Sequence, residues 1–542
     1  MPTQLDIASA LALTPGTTSL APGVGANTET PSFGPFAHQP SQQIRSALQR
    51  AVRPDYPVWL RHVESAAACT HPVRLQGTLA TVDTRTGEIL THRHTTTLPD
   101  GVIYKACGNR RHTVCPSCAT LYQADAFHLV RAGLVGGKTV PTSVRHHPAV
   151  FATFTAPTFG EVHTRVVRNC TCRDKMRCTC RAEPCHARRT PETCPHGTQL
   201  ACWRRHGVGD EHLGRPLCPD CYDHAHHTVW NNQAGELWRR TKQEAERHLN
   251  KQARSRGLPR VRLSHGKAAE YQARGAVHFH VLLRLDGIDP DDPALILRPP
   301  DAFTADDIVA AVEHAAAHVT YRTRPHPARP DGWPIAWGCQ LDARLITLSA
   351  SGDALDDQAV AAYLAKYSTK GTEATGHVSR RLDADSVGLY ANPRGTHTER
   401  LIAAAWTLGQ EDGWDSLRRW AHMLGFGGHF LTKARRYSIT FTAIREERAA
   451  HKRAQALNSN DPIPGQPPET TAFHRQANLD AKTEETTLVI GFLTYAGTGW
   501  HSTGDQLLAN TAAAQARERS RAGREELAHE NGSSSATTPL AA

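Results

Sequence analysis

Apolar and polar positions alternate with a period of two in three separate stretches of the chain. Residues 150–156 (Val-Phe-Ala-Thr-Phe-Thr-Ala) read as a strand closed by Pro157, residues 277–285 as a second that ends at the Asp286-Gly287 turn, and residues 340–346 as a third. Between and after them the apolar period lengthens to that of a helix. Residues 237–254, 305–318 and 359–369 are the helical segments, the last stopping at Gly371. Strands separated by helices, with one strand pair close together, predict a two-layer α/β sandwich.

The flanks lack this patterning. Residues 1–45 are rich in Pro, Gly, Ser and Thr and nearly uncharged, as in a disordered leader. A second loose stretch, 441–485, reads as a linker and contains Asn-Ser-Asn-Asp-Pro-Ile-Pro-Gly-Gln-Pro-Pro. Beyond it, 486–542 holds a short apolar patch and a polar helical tail. The expected organisation is a leader (1–45), an N-terminal region (46–145), a main domain (146–440) interrupted by a Cys/His-rich insert at about 160–225, the linker, and the C-terminal patch and tail.

Composition adds a partner class. The 542 residues carry a formal charge of +10, with 51 Arg against 11 Lys. A basic balance favours a polyanion such as nucleic acid, although GC-rich coding also enriches Arg. No apolar run approaches the ~20 residues of a membrane span, and the first 44 residues lack the basic start of a signal peptide. The expectation is a cytoplasmic protein with no membrane partner, in which clustered thiols are metal ligands before they are disulfides.

Those thiols are concentrated. Twelve of the 14 Cys lie between residues 107 and 221, leaving Cys69 and Cys339 outside. Cys115-Pro-Ser-Cys118 and Cys218-Pro-Asp-Cys221 are two knuckles of the kind that share a tetrahedral zinc. Cys107, Cys194, His196 and Cys202 complete the expected structural zinc set. The Cys-Thr-Cys pairs at 170–172 and 178–180 are spaced less typically, and their role stays open. A phosphate-loop lookalike, Gly133-Leu-Val-Gly-Gly-Lys-Thr139, has Ala132 where the first glycine is required and does not follow a strand.

Two constellations carry candidate chemistry. On the second strand, His278 and His280 are two residues apart and share a face, about 7 Å from each other, with Phe279 turned to the core. A hairpin through Glu270-Tyr-Gln-Ala-Arg-Gly275 returns Glu270 beside them as an oxygen ligand. Three His-x-His triplets occur in a chain with 32 His; only this one has a bulky apolar centre and an apolar continuation. On the third helix, Tyr363, Lys366, Tyr367 and Lys370 fall at i, i+3, i+4 and i+7, one stripe of two phenols and two ammoniums. The stripe suits a solvated Lys face or, beside a metal that polarises a phosphate, a pair of nucleophiles with cationic helpers.

Together these residues resemble the HUH endonucleases, in particular the two-tyrosine rolling-circle replication initiators. His278-Phe-His280 matches their His-hydrophobic-His motif, and Tyr363-Leu-Ala-Lys-Tyr-Ser-Thr-Lys370 is similar to the tyrosine helix of the gene A-type proteins of single-stranded DNA phages. The flanking Cys107-Gly-Asn-Arg-Arg, Leu217-Cys-Pro-Asp-Cys-Tyr222 and Gly425-Phe-Gly-Gly-His429 are similar to initiators of actinobacterial plasmids and integrative conjugative elements. The resemblance spans about 107–437 and 495–500.

It implies an α+β fold in which a central antiparallel sheet with flanking helices carries the site, beside a zinc-binding module. It also implies Mg²⁺ or Mn²⁺ on His278, His280 and Glu270, with imidazole ligands leaning towards manganese. Tyr363 or Tyr367 would attack a phosphate at an origin, leaving a 5′-phosphotyrosine and a 3′-OH primer, with Lys366 or Lys370 stabilising charge. The chain has no helicase motif, so unwinding implies a host helicase. Two-tyrosine single-strand transposases share the motif order, and a non-catalytic zinc-ribbon regulator is the reading in which the two His are ordinary sheet residues.

Overall fold

The computed structural model describes residues 41–168, 179–190, 192–346, 357–372, 380–458 and 487–533. The leader at 1–40, most of the linker and the segment from Cys170 to Cys178 lie outside them. The chain divides into two compact units, residues 1–118 with 462–542, and residues 119–461.

The first unit is built from both ends of the chain. Strand β1 (Val73–Asp83) pairs antiparallel with β2 (Ile89–His94), with the short β3 (Ile103–Lys105) and with β11 (Thr487–Thr498). The apolar patch near the C-terminus is therefore a sheet strand whose Thr498 faces Val73 and whose Thr487 faces Asp83. Helices α1 (Gln42–Ala51), α2 (Tyr56–Val63) and α10 (Thr503–Ser533) belong to the same unit. Trp59, Tyr104 and Ala509 are buried there, with Trp500 packed against them. The buried Arg50 guanidinium bridges Asp505 at 2.8 Å and Asp100 at 2.9 Å, which ties the N-terminal helix to the C-terminal one.

The second unit centres on a five-stranded antiparallel sheet, ordered β10-β5-β6-β4-β9. Its strands are β4 (Ala149–Phe154), β5 (Val261–Tyr271), β6 (Val277–Gly287), β9 (Leu341–Leu345) and β10 (Leu431–Lys433); a separate two-stranded sheet joins β7 (Tyr321–Arg322) to β8 (Pro334–Ile335). The hairpin between β5 and β6 turns at Gly275, whose φ of 84° is a left-handed conformation that glycine adopts without steric cost.

Strand β6 explains the layering. Its odd-numbered residues Val277, Phe279, Val281, Leu283 and Leu285 are all buried and pack against α4 (His224–Ser255), α5 (Ala305–His318) and α7 (His397–Leu408) through Trp230, Ile308, Leu401 and their neighbours. Its even-numbered residues form a mixed face: His278 and His280 near the hairpin, Leu282 in the middle, and Arg284 and Asp286 at the far end. Leu282 and Ala268 make the middle of that face apolar. It is covered by α3 (Pro116–Val135) through Leu129 and Val130 and by α6 (Asp357–Ser368) through Val360 and Leu364. The sheet thus has helices on both sides, and the sandwich has three layers where the alternation alone predicts two.

The far end of this face is closed by charge. Arg284 and Asp286 have fully buried side chains 2.7 Å apart, and Asp286 also meets His147 at 2.9 Å. Arg284 donates to the carbonyls of Gly133 and Tyr437, locking α3 to the sheet. Breaking such a buried pair by removing one partner costs about 3–5 kcal/mol. Gly133 is required here, because a Cβ would lie 2.2 Å from the Tyr437 ring. The Gly136–Thr139 segment is a tight turn with Lys138 paired to Glu447, not a phosphate cradle. Helix α9 (Phe441–Asn458) occupies the start of the stretch expected as linker. Among the described residues, no helix is long and apolar enough to cross a membrane.

Candidate functional site

Antiparallel pairing sets Glu270 of β5 directly opposite His278 of β6, and Ala268 opposite His280. The small Ala268 side chain leaves room for the carboxylate to reach both imidazoles. Glu270 Oε2 lies 3.1 Å from His278 Nε2 and 3.2 Å from His280 Nε2. The three candidate ligand atoms are within 4.8 Å of one another, a one-carboxylate, two-imidazole donor set that fits a divalent cation. Burial alone would raise the Glu270 carboxyl, but the two His and Lys370 outweigh it and hold it down to about 2. Burial also keeps His280 below its ordinary value, which favours the neutral imidazole that a cation would need.

Neighbouring strands fix the imidazole of His280. Its Nδ1 is 3.1 Å from Thr153 Oγ1 on β4, and the Phe151 ring stacks parallel to it at 5.9 Å. Helix α6 crosses the same face, its first turn tied to α3 by Arg131 and Asp357 at 3.1 Å. It brings Tyr363 and Tyr367 over the trio, with ring centroids 4.9 Å and 5.4 Å from that of His280. The Tyr363 hydroxyl is 3.4 Å from His280 Nε2. Burial, then the adjacent Tyr367, push its phenol above the ordinary value, so ionisation there needs a cation. Tyr363 is 37% exposed and Tyr367 only 9%.

The two lysines of the stripe part company. Lys370, just past the helix end, reaches back to Glu270 Oε1 at 3.1 Å and lies 4.2 Å over the Tyr367 ring. Lys366 is exposed.

Among the described residues, nine cysteines gather into three groups, each with ligand atoms within 4.8 Å of one another. Cys69 joins Cys107, Cys115 and Cys118, with Sγ–Sγ separations of 3.7 Å and 3.8 Å. That is the edge of a tetrahedron with Zn–S bonds of about 2.3 Å. Cys194, His196, Cys218 and Cys221 form another. Cys202 is not in that group but in a third, with His163, Cys185 and His206, whose S–N distances are 3.7 Å and 3.6 Å. Asp210 supports His206 from behind, 2.7 Å from its Nδ1, as carboxylates support zinc-bound histidines. All three donor sets fit zinc.

Cys69, His163, Cys185 and His206 stand outside the zinc set expected from the sequence, although Cys185 lies in the Cys/His-rich block that supplies candidates for it. Three thiols at 107, 115 and 118 leave a tetrahedral site one ligand short, which was a signal for Cys69; nothing local marks His163 among 32 His.

The family model "Replication initiator protein, pSAM2" matches residues 55–514, most of the chain. The chain belongs to this replication initiator family. A replication initiator protein of Streptomyces ambofaciens is 38% identical over 474 residues, covering 86% of this chain and 92% of that one. No solved structure matches this initiator.

Proposed function

We propose that this initiator nicks one strand of a plasmid or element origin and starts rolling-circle replication through a covalent 5′-phosphotyrosine, as an HUH-type endonuclease. The observation that carries the reading is the convergence of Glu270, His278 and His280 on one point, with the Tyr363 hydroxyl 3.4 Å from His280 Nε2.

Glu270, His278 and His280 would hold Mn²⁺ or Mg²⁺, which when bound polarises the scissile phosphate and makes phosphorus more electrophilic. Tyr363, the more exposed phenol, attacks first. Its oxygen bonds to phosphorus, the bond to the 3′ oxygen breaks, and that oxygen takes a proton and becomes the primer. The phenolic proton leaves to solvent. Lys370 sits beside the site carboxylate, where its charge stabilises the phosphate as negative charge builds. Tyr367, whose ring centroid is 4.5 Å from that of Tyr363, attacks the regenerated site in the second step, so that strand transfer needs no water. Zinc in the three cysteine groups holds the polar segments in shape. The partner is origin DNA, and a host helicase unwinds ahead of the primer.

The test is incubation with labelled single-stranded origin DNA and Mn²⁺ or Mg²⁺. An adduct that survives SDS is expected, and no adduct with either metal rejects the nickase. Cleavage that persists in the double variant Tyr363→Phe/Tyr367→Phe removes both nucleophiles from consideration. A zinc-ribbon regulator would bind the same DNA and never become attached. A transposase would cut element ends in preference to an origin.

A further inference from the structure

A cavity of about 750 Å³ opens at the hairpin end of the five-stranded sheet. It has not entered the mechanism above. Thr155, Gln272 and Gln340 line it from the ends of β4, β5 and β9, and the 161–165 segment forms the facing wall. Two chain courses run from the candidate nicking site into it. Thr155 is two residues past Thr153, the contact of His280, and Gln272 is two residues past Glu270. Residues two apart on extended chain face the same way, about 7 Å further on. The cavity therefore continues the face on which the scissile phosphate would lie.

Its lining narrows the occupant. Pro157, Val162, Leu213 and Trp337 are apolar, while Gln272 and Gln340 bring amides. Flat apolar faces with a hydrogen-bonding edge describe a nucleobase. Amides pair with base edges, and apolar and aromatic surfaces take base faces. A duplex keeps its bases stacked, so only an unstacked base of a single strand can enter.

One wall is held by a cysteine group. His163 lines the cavity and belongs to the set with Cys185, Cys202 and His206. The next residue, Thr164, donates its backbone N–H to Cys185 Sγ at 3.1 Å, and the His186 ring meets the Val162 carbonyl at 2.8 Å. A metal on that group would fix the position of the wall.

We propose that this cavity receives an unstacked nucleotide of the single strand flanking the scissile phosphate, and that the His163–Cys185–Cys202–His206 group positions the wall that grips it. The inference rests on the nicking reading for its substrate, and on the cavity for its place.

The experiment measures binding by fluorescence anisotropy, with labelled single-stranded origin oligonucleotides in which one abasic site is moved a nucleotide at a time through the nick region. Binding about tenfold weaker at one or two adjacent positions is expected, with little effect elsewhere. Cys339 is exposed and lines the cavity, so Cys339→Trp should obstruct it and flatten the profile, lowering affinity at the insensitive positions to the level of the one or two sensitive positions, where affinity stays as in the wild type. Cys185→Ser, with one zinc fewer, should flatten it too; a positional profile that survives this loss overturns the role of the wall. A flat wild-type profile overturns the cavity assignment. Adduct formation on the same oligonucleotides is read separately. Adducts with a flat profile dismiss the cavity and keep the nickase, and a positional profile without adducts does the reverse.

Discussion

Thr153 Oγ1 lies 3.1 Å from Nδ1 of His280, on the side of the ring opposite the nitrogen that faces Glu270. With a cation on Nε2, the proton must sit on Nδ1, and Thr153 is the acceptor that keeps it there. Such a partner sets ligand orientation and basicity without touching the metal. Thr153→Val should weaken Mn²⁺ binding about 10–100-fold with the thermal midpoint unchanged. A manganese titration with the wild-type midpoint in the variant would discard this role.

The two lysines of the tyrosine helix should differ in effect. Lys370 pairs with Glu270, whereas Lys366 is exposed. Lys370→Met should slow single-turnover adduct formation about 100-fold, the size of a lost charge-stabilising donor. Lys366→Met should leave the chemical step nearly intact and act mainly on the salt dependence of DNA binding. Equal losses in both variants would show that the stripe works by net charge alone.

Metal content should follow the grouping of the thiols. Purified protein should release at least three equivalents of zinc to a chromogenic chelator after thiol modification, one for each group among the described residues. Cys69→Ser should lose one equivalent. Asp210→Asn should keep the count but release its zinc about tenfold more readily, because His206 loses its supporting carboxylate. Full zinc occupancy in Cys69→Ser would mean that the first group closes without it.

Stability should respond to pH through Lys267. This lysine is buried on the core face of β5 with its ammonium 3.6 Å from the Phe279 ring centroid, and burial lowers it from 10.5 to about 7. Between those values the unfolded chain holds a proton that the folded one lacks, so stability rises with pH across that interval. The cost is largest at pH 7 and below. Lys267→Met should therefore stabilise the protein at pH 7, by an amount on the order of 4 kcal/mol. The gain should shrink towards pH 10, and thermal melts across that range would show it. A gain independent of pH would place the effect in packing instead.

The parts of this molecule visible in the sequence are those set by neighbours along the chain. Alternation at 277–285 placed His278 and His280 on one face, and helical spacing put Tyr363 and Tyr367 on one side of α6. The Glu270 hairpin was equally readable, because a short turn leaves little freedom of register. Thr153 was hidden because its role depends on β4 lying beside β6, a pairing between residues far apart in sequence. His163 and the pairing of β11 with β1 were hidden for the same reason: partners that meet only after folding leave no local period. The second helical layer is not legible because the apolar positions of that face, Leu282, Ala268, Ala149 and Phe151, are spread over three strands, and on each strand they alternate with or adjoin polar residues.

Strand β6 serves the candidate site from one side and the core from the other, and its side chains alternate without a spare residue between Val277 and Gly287. A point substitution there changes one side. An insertion or deletion of one residue exchanges them, thrusting both imidazoles among the tryptophans and turning Phe279 towards the candidate site. This stretch can drift in composition but not in length, and any library aimed at a new metal preference should vary its letters and leave its frame alone.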